Sequence, residues 1–591
     1  MSNLQVNYSS LKQRFPHVRT KMDIIQNSHP TESSLYVEMI DRDSAWLQAV
    51  ESSLNDCKIV FVYGFGRGFS IADLLDRYPD CWFFVYEPDE NLFLETLSEY
   101  DISFILEHPN FYWLSVGESQ LNMLFHMVCS YMQDEMVFVA LRHYLENDMD
   151  ILRGIKQKFM EYRDTFYSNK HTEHRFREEW TRNYLYHVTD ILNTPSIEQL
   201  FYSFEGSTAV IVSSGPSLQE DIEYLKKLHP HALIIAAGSS IQALIKHGIR
   251  PHLIVIMDGH PINKRIFSTP ESLEAPLLFT SSSYYEISDL KHTQKIHSIM
   301  KSDAVSQYLL EYSREQLFIS PSATVAGTAI QAAACLGAKR IVLAGQDLSF
   351  PDQKFYTDGI EHFSSDNTDE KVQTAHKKVL NVKGTYNPTD DSFLLMKDGI
   401  ENLITGLPKV EFINTSRNGA AIEGAPFKPI DELYEQLQSE RVESDAIGDW
   451  IENNHHIVDN SRMLYFKEKL ELTLLDLLNV RSEIKLIKNH LNKLRELSRI
   501  KPIKAQRELE LIEQMWGAIA NRGWFAPIVE SILPLQIAKF DQLLPIIITE
   551  QNLIRKTDLI CENLGSLLTE INDRIPDLED MFAESLLRFK D

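Results

Sequence analysis

Short apolar runs bounded by glycine and polar residues recur from residue 58 to residue 344, and then give way to helical spacing. In the first stretch, residues 58–63 (KIVFVY) and 82–86 (WFFVY) read as buried strands. They are too short for core helices and rich in β-branched and aromatic side chains. Residues 111–114 and 136–141 extend that sheet, and 71–75 follow helical spacing. Residues 148–204 turn helical and strongly charged, which predicts a connector.

The second stretch is more regular. Strands over 209–212, 232–236, 253–257, 276–280, 296–300 and 340–344 are interleaved with helices over 218–228, 241–246 and 325–336. Such alternation predicts a parallel, doubly wound sheet. Beyond residue 430, Leu470, Leu474, Leu477, Ile484, Leu491 and Leu494 recur at helical spacing, with Arg481 interrupting. They predict an amphipathic helix that packs with the segments around Trp516 and Trp524 as a hairpin or bundle. The expected fold class is α/β: two Rossmann-like doubly wound domains, 1–200 and 201–430, and an all-α domain, 431–591.

Composition narrows the function. The 591 residues carry a formal net charge of −26. Nonspecific nucleic-acid binding needs clustered cations, so it is not expected. The same charge argues against a basic membrane-surface patch. An anionic ligand remains open, because backbone N–H groups bind phosphate without net positive charge. Cys57, Cys81, Cys129, Cys335 and Cys561 are scattered without a CxxC pair, so neither a disulfide framework nor a thiolate zinc site is expected. The polar N-terminus and the lack of a long apolar run predict a cytoplasmic chain without a signal peptide or membrane span.

The chemistry concentrates at strand ends in the second stretch. Strand 209–212 runs into Ser213-Ser214-Gly215-Pro216-Ser217, then a helix. Ser217 and Glu220 have capping-box spacing, and the first N–H groups of that helix are expected to be free for a phosphate. A plain capped turn is the alternative. Other strand ends carry Gly238-Ser239-Ser240, Asp258-Gly259-His260, Ser281-Ser282-Ser283 and Gly345-Gln346-Asp347, and Ser322-Ala323-Thr324 precedes the helix over 325–336. In a parallel sheet these ends share one edge, where ligands bind, so a nucleotide or sugar pocket is expected there. Asp258 and Asp347 are candidates to orient a hydroxyl, hold a divalent cation or act as base. Each is equally a candidate helix cap. His260, Tyr356 and His362 are the nearby proton acceptors. In the first stretch Gly64-x-Gly66-x-Gly68, with Glu87 downstream, resembles a methyltransferase cofactor loop but lacks the full spacing; a scaffold without cofactor is the reading preferred.

The runs VIVSSGPSLQEDIEYL (210–225), AAGSSIQALIKHGIRPHLIVIMD (236–258), GTAIQAAACLGAKRIVLAGQDLSF (327–350) and INTSRNGAAIEGAPF (413–427) resemble the motility accessory factor (Maf) family. They also resemble its relatives of archaeal hydroxymethylpterin diphosphokinase type. YGFGRGF (63–69) and FVYEPDENLF (84–93) are similar to the family's N-terminal domain. The resemblance implies a flagellin glycosyltransferase that moves pseudaminic or legionaminic acid from a CMP-activated donor to Ser or Thr of flagellin. The central domain is also similar to bacterial sialyltransferases. That likeness implies nucleotide contacts at Ser214–Ser217 and Ser322–Thr324, and a tyrosine near Tyr356 that assists the leaving phosphate. Many family members carry Thr-His-Ala where this chain has Phe355-Tyr356-Thr357, so no catalytic histidine carries over and His362 is the substitute. Two other readings stand beside this one: an ATP-using pyrophosphokinase, with metal held by Asp258 and Asp347, and a non-catalytic flagellin-binding protein.

Overall fold

The computed structural model describes residues 2–27, 44–54, 58–132, 136–292, 294–361, 365–454 and 460–590. The chain divides into two compact units, Met1–Arg175 with Pro534–Leu567, and Phe176–Leu533 with Leu568–Asp591. The fold class is α/β with parallel sheets and a helical C-terminal region. The C-terminal helices are shared out between the two units rather than gathered into one.

The first unit holds a four-stranded parallel sheet built from β1 (Ile59–Tyr63), β2 (Trp82–Glu87), β3 (Phe111–Val116) and β4 (Met136–Ala140). Their order is β3-β2-β1-β4. Every residue of β1 and β2 is buried, as an unbroken apolar run covered on both faces must be. The charged stretch expected as a connector is a continuous helix, Met149–Leu192.

The second unit holds seven parallel strands: β5 (Thr208–Val212), β6 (Leu233–Ala237), β7 (Leu253–Ile256), β8 (Leu277–Thr280), β9 (Lys295–Ser298), β10 (Arg340–Ala344) and, after a hairpin of β11 (Lys377–Leu380) and β12 (Tyr386–Thr389), β13 (Glu411–Asn414). The order is β13-β10-β5-β6-β7-β8-β9. The chain therefore steps outward from β5 to β9, then returns to the other side of β5 with β10. Between β5 and β10 the winding reverses, and the carboxyl ends of the strands at such a point are where open α/β sheets bind ligands. β11, β12 and β13 are additions to the sequence reading. The β11 pattern of lysines at Lys377 and Lys378 shows little apolar alternation, so nothing local marks it as a strand.

Beyond residue 430, the helices Asn460–Ile500 and Pro502–Ala520 form the expected hairpin. Leu470, Leu477, Ile484, Leu491 and Leu494 are buried on its inner face, Leu474 is half-buried and Arg481 is exposed. Pro502 starts the second helix at a position that needs no N–H partner. Trp524 Nε1 donates to Asp476 Oδ2 at 2.7 Å. Cys81, Cys129, Cys335 and Cys561 are buried, and Cys57 lies outside the described residues. Among the described residues no single helix is long and apolar enough to cross a membrane.

Candidate functional site

The loop Ser213-Ser214-Gly215-Pro216-Ser217 leaves the carboxyl end of β5, and Gly345-Gln346-Asp347 leaves β10 beside it. The two loops are laced together. Ser213 N–H donates to Ala344 O at 2.8 Å and Gly215 N–H to Gly345 O at 2.9 Å. Ser213 Oγ donates to Gln346 Oε1 at 2.6 Å. Ser217 N–H donates to Asp347 Oδ2 at 2.9 Å, and its hydroxyl donates to Oδ1. A Cβ on Gly215 would run into the Asp347 carboxylate and the Gly345 carbonyl, so only glycine allows this approach. Gly345 has φ +66°, where a side chain is strained.

This lacing corrects two expectations. Ser217 makes no side-chain cap to its helix Leu218–Leu228, so the capping box with Glu220 does not form; the Asp347 carboxylate has claimed the hydroxyl. Glu220 instead accepts from Asn418 Nδ2 at 3.0 Å. Nor are the first N–H groups of the helix free for phosphate. Leu218, Gln219 and Glu220 donate to the carbonyls of Gly215, Pro216 and Ser217 at 3.1, 3.3 and 3.2 Å, a tight 3₁₀-like start. Of the five loop residues, Ser214 alone keeps an N–H with no acceptor among the described residues, Pro216 having none to give.

The neighbouring loops close around Ser214. Its Oγ lies 2.7 Å from Ser239 Oγ, and its carbonyl accepts from Thr357 N–H at 2.9 Å. Gly238 sits where an added Cβ would touch Val325 at 3.8 Å, so the β6 loop adjoins Ser322-Ala323-Thr324. Thr324 caps the helix Val325–Leu336 through Ala326 N–H at 3.4 Å. Pro321, Ser322 and Ala323 line a groove of about 280 Å³ with Gly399, Asn402 and Leu403. Ser240 is fully buried and its hydroxyl lacks a partner among the described residues.

The two candidate aspartates differ. Asp347 is 3 % exposed, with both oxygens held by Ser217. Burial pushes its pKa up to about 6, the Ser217 hydrogen bonds pull it down, and Glu220 raises it. Through both oxygens it holds the β5 loop in place. Asp258, at the end of β7, is exposed at its surface, yet protein crowds its carboxyl enough to raise its pKa. Desolvation of the carboxyl, rather than a neighbouring charge, is the cause of the rise. Tyr356 is half-buried; burial, then the charge of Asp258, raises its pKa. The segment at 355–357 thus brings Thr357 onto the β5 loop and Tyr356 into the field of Asp258. His260 Nδ1 accepts from Ile262 N–H at 3.2 Å and caps its own turn. His362 lies outside the described residues.

Three contributors have no counterpart in the sequence reading. Ser416 Oγ accepts from Gln346 N–H at 2.8 Å, and Asn418 N–H donates to Ser217 Oγ at 3.1 Å, so the loop after β13 buttresses both others. Asn183, 1 % exposed, donates to Gly259 O at 3.2 Å and to Ser282 O at 3.1 Å, pinning the turn after Asp258. The run Asn414-Thr415-Ser416 after two apolar residues is a weak local signal for the first pair; Asn183 on a charged helix had none. The hydroxyls of Ser281-Ser282-Ser283 stitch strand ends together: Ser282 Oγ donates to Met257 O at 3.0 Å and Ser283 Oγ to Thr280 O at 2.7 Å. Among the described residues no group of three His, Cys, Asp or Glu side chains is placed to hold a metal ion.

The glycine loop of the first unit is occupied by its own protein. Glu87 is fully buried and accepts from the N–H groups of Phe65 at 2.7 Å, Gly66 at 3.0 Å and Asp89 at 2.9 Å, and from Tyr144 OH at 2.7 Å. A Cβ on Gly64 would meet the Tyr144 ring at 2.5 Å. The carboxylate that would bind a ribose instead closes the loop.

Known proteins agree with this architecture. Residues 182–353, which span β5 to β10, match the family model described as 6-hydroxymethylpterin diphosphokinase MptE-like. No curated protein matches the chain in sequence. The structure of MAf glycosyltransferase from Magnetospirillum magneticum AMB-1 is similar over 99 % of this chain and 98 % of its own, with TM-score 0.56 and 13 % identity. The chain thus has the Maf glycosyltransferase fold over nearly its whole length, with an MptE-like segment at the centre of its larger sheet.

Proposed function

We propose that this protein is a glycosyltransferase that moves a nonulosonic acid, pseudaminic or legionaminic, from a CMP-activated donor to Ser or Thr of flagellin. One observation carries the reading: the strand-end loops of the seven-stranded sheet meet at its switch point around Ser214, in a fold shared with a protein named a glycosyltransferase. Such a switch point suits a nucleotide-bearing donor.

The chemistry divides among few groups. The donor phosphate sits at Ser214 N–H and the Ser214–Ser239 hydroxyl pair, with Ser322-Ala323-Thr324 contacting the nucleotide. The acceptor hydroxyl attacks the anomeric carbon as the CMP oxygen leaves, with inversion. Asp258, its pKa raised by desolvation, takes the proton. Tyr356, kept protonated by burial and by Asp258, donates to the departing phosphate. On this reading the reaction is cytoplasmic.

The test is incubation of purified protein with CMP-pseudaminic or CMP-legionaminic acid and flagellin, read by intact-protein mass. The reading expects a mass increase of one or more sugar residues, lost in Asp258→Asn. No increase with either donor overturns it. A second reading, a pyrophosphokinase, is favoured by the family match over 182–353. Calorimetry with CMP and with ATP separates the two: tighter CMP binding supports transfer, tighter ATP binding the kinase. Flagellin binding without either nucleotide would leave a non-catalytic scaffold.

A further inference from the structure

The turn of the helical hairpin is apolar and basic at once. The helix Asn460–Ile500 ends there, Lys501 reverses the chain, and Pro502 opens the helix Pro502–Ala520. Ile500 and Ile503, on either side of the reversal, are 73 % and 77 % exposed, more than any other large apolar side chain among the described residues. Residues 495–507 also carry Arg495, Arg499, Lys501, Lys504 and Arg507 against one acid, Glu496. All five cations are exposed, and among the described residues none has an ion-pair partner. Just behind them pairing resumes: His490 and Lys493 both meet Glu508, at 2.6 and 2.9 Å. Lys501 and Lys504 stand at the positive end of the second helix, whose first turn holds no acid. There they cost helix stability, and a bound anion would restore it.

Isoleucines and cations share this end of the hairpin because the turn gathers them. Arg495 and Arg507 are each five residues from the turn, roughly 8 Å along a helix, and long basic side chains cover that distance. Among the described residues, the side-chain hydrogen bonds and ion pairs between Lys493 and Glu508 stay within the hairpin. Leu494, Ser498 and Ala505 are buried in its seam. Lys488, which lines a pocket with Asn572, lies roughly 18 Å along the helix from Ile500.

Size and charge decide what fits. Two isoleucine side chains are too little surface for a stable protein interface, which buries roughly 1,200 Å² or more. A lipid surface needs no shaped complement. Isoleucines enter its acyl boundary while lysine and arginine reach the phosphates above. The net charge of −26 argues against a basic membrane patch for the chain as a whole. It does not describe this turn, because salt screens charges farther off than about 8 Å. We infer that the hairpin turn docks peripherally on an anionic phospholipid surface, with Ile500 and Ile503 inserted and the five cations on the headgroups. The inference stands apart from the transferase reading.

The test floats the full chain with vesicles of phosphatidylcholine alone or with about one-third phosphatidylglycerol. The expected result is partition onto the anionic vesicles only, falling as salt rises. Partition should drop about tenfold or more in Ile500→Asp/Ile503→Asp and, separately, in Arg499→Gln/Lys501→Gln/Lys504→Gln. Both variants alter exposed side chains, and unchanged circular dichroism and Tm verify that they fold. Four results overturn the inference: no flotation at low salt, which leaves the turn to an acidic protein partner; equal flotation with neutral vesicles; displacement by millimolar inorganic phosphate with the isoleucine variant unaffected, which marks a small-anion site; or wild-type self-association in sedimentation that the isoleucine variant abolishes, which marks a contact between copies.

Discussion

Ser217 and Asp347, 130 residues apart in sequence, are joined twice, once through the Ser217 backbone N–H at 2.9 Å and once through its hydroxyl. This pair couples the loops after β5 and β10 across the point where the sheet reverses its winding. Asp347→Asn leaves one of the two Ser217 donors facing an amide N–H. We expect a loss of about 1–3 kcal/mol of stability, the cost of an unsatisfied buried donor. Because the loop is distorted, CMP binding should also weaken, by about tenfold or more. Calorimetric denaturation and titration measure the two, and wild-type values for both would remove Asp347 from its positioning role.

Asp221 gives the same region a pH dependence. It is fully buried, one oxygen accepts from Thr415 Oγ1 at 2.7 Å, and the other has no partner among the described residues. Burial, above all, pushes its pKa up to about 7, and Asp347, itself at about 6, adds to the rise. Both values exceed the unfolded carboxyl value, so the folded protein holds protons that the unfolded chain releases. Their stabilising effect is complete below about pH 4 and is lost as pH rises through 6 and 7. Asp221→Asn should therefore flatten the fall in Tm between pH 5 and pH 8 and raise Tm at pH 8 by roughly 3–5 °C. Identical pH profiles for variant and wild type would contradict this.

Asp258 and Tyr356 should separate binding from chemistry. Asp258→Asn keeps CMP affinity within about twofold and lowers transfer by about 10²–10⁴, the usual worth of a general base. Tyr356→Phe lowers kcat more than it raises KM, because the phenol acts on charge that develops as the phosphate leaves. Initial rates against donor concentration test both. A Tyr356→Phe effect confined to KM would make it a binding residue only.

Glu87 should be a structural residue. Glu87→Gln changes a carboxylate that accepts four hydrogen bonds into an amide that cannot accept them all, and Tm should fall measurably. S-adenosylmethionine should leave the Tm of the wild-type protein unchanged. A clear upward shift with that cofactor would show that the loop opens to a ligand after all.

Asn183→Ala tests how the base is held. Loss of its bonds to Gly259 O and Ser282 O frees the turn that carries Asp258. Transfer should fall, and the pH midpoint of the rate should move, because the crowding of Asp258 changes. A drop in Tm with an unmoved pH midpoint would assign Asn183 to stability alone.

The local parts of the fold were legible. The strands over 209–212 and 340–344 and the helices over 218–228 and 325–336 appear in the structure almost to the residue. Each is a run of apolar or helix-forming side chains ended by glycine, proline or serine. β11 and β13 were not, because Lys377, Lys378 and Glu411 leave too few apolar positions to set a period. Ser217 read as a helix cap because cap and carboxylate ligand share one residue type. Nothing within the loop says that Asp347 lies closer to it than the first helical N–H groups.

The sequence by itself determined that this chain builds two parallel sheets with helical segments after them, and that the second sheet collects glycine and hydroxyl residues at its strand ends. Periodicity and turn chemistry are local, so they survive without coordinates. Only the tertiary structure decided the strand order, and with it that the β5 and β10 loops are neighbours. It also decided that Asp347 holds the loop while Asp258 stands exposed beyond β7, and that Glu87 seals the first glycine loop. Burial and partner choice are set by residues far apart in the chain, and one-dimensional spacing carries no record of them.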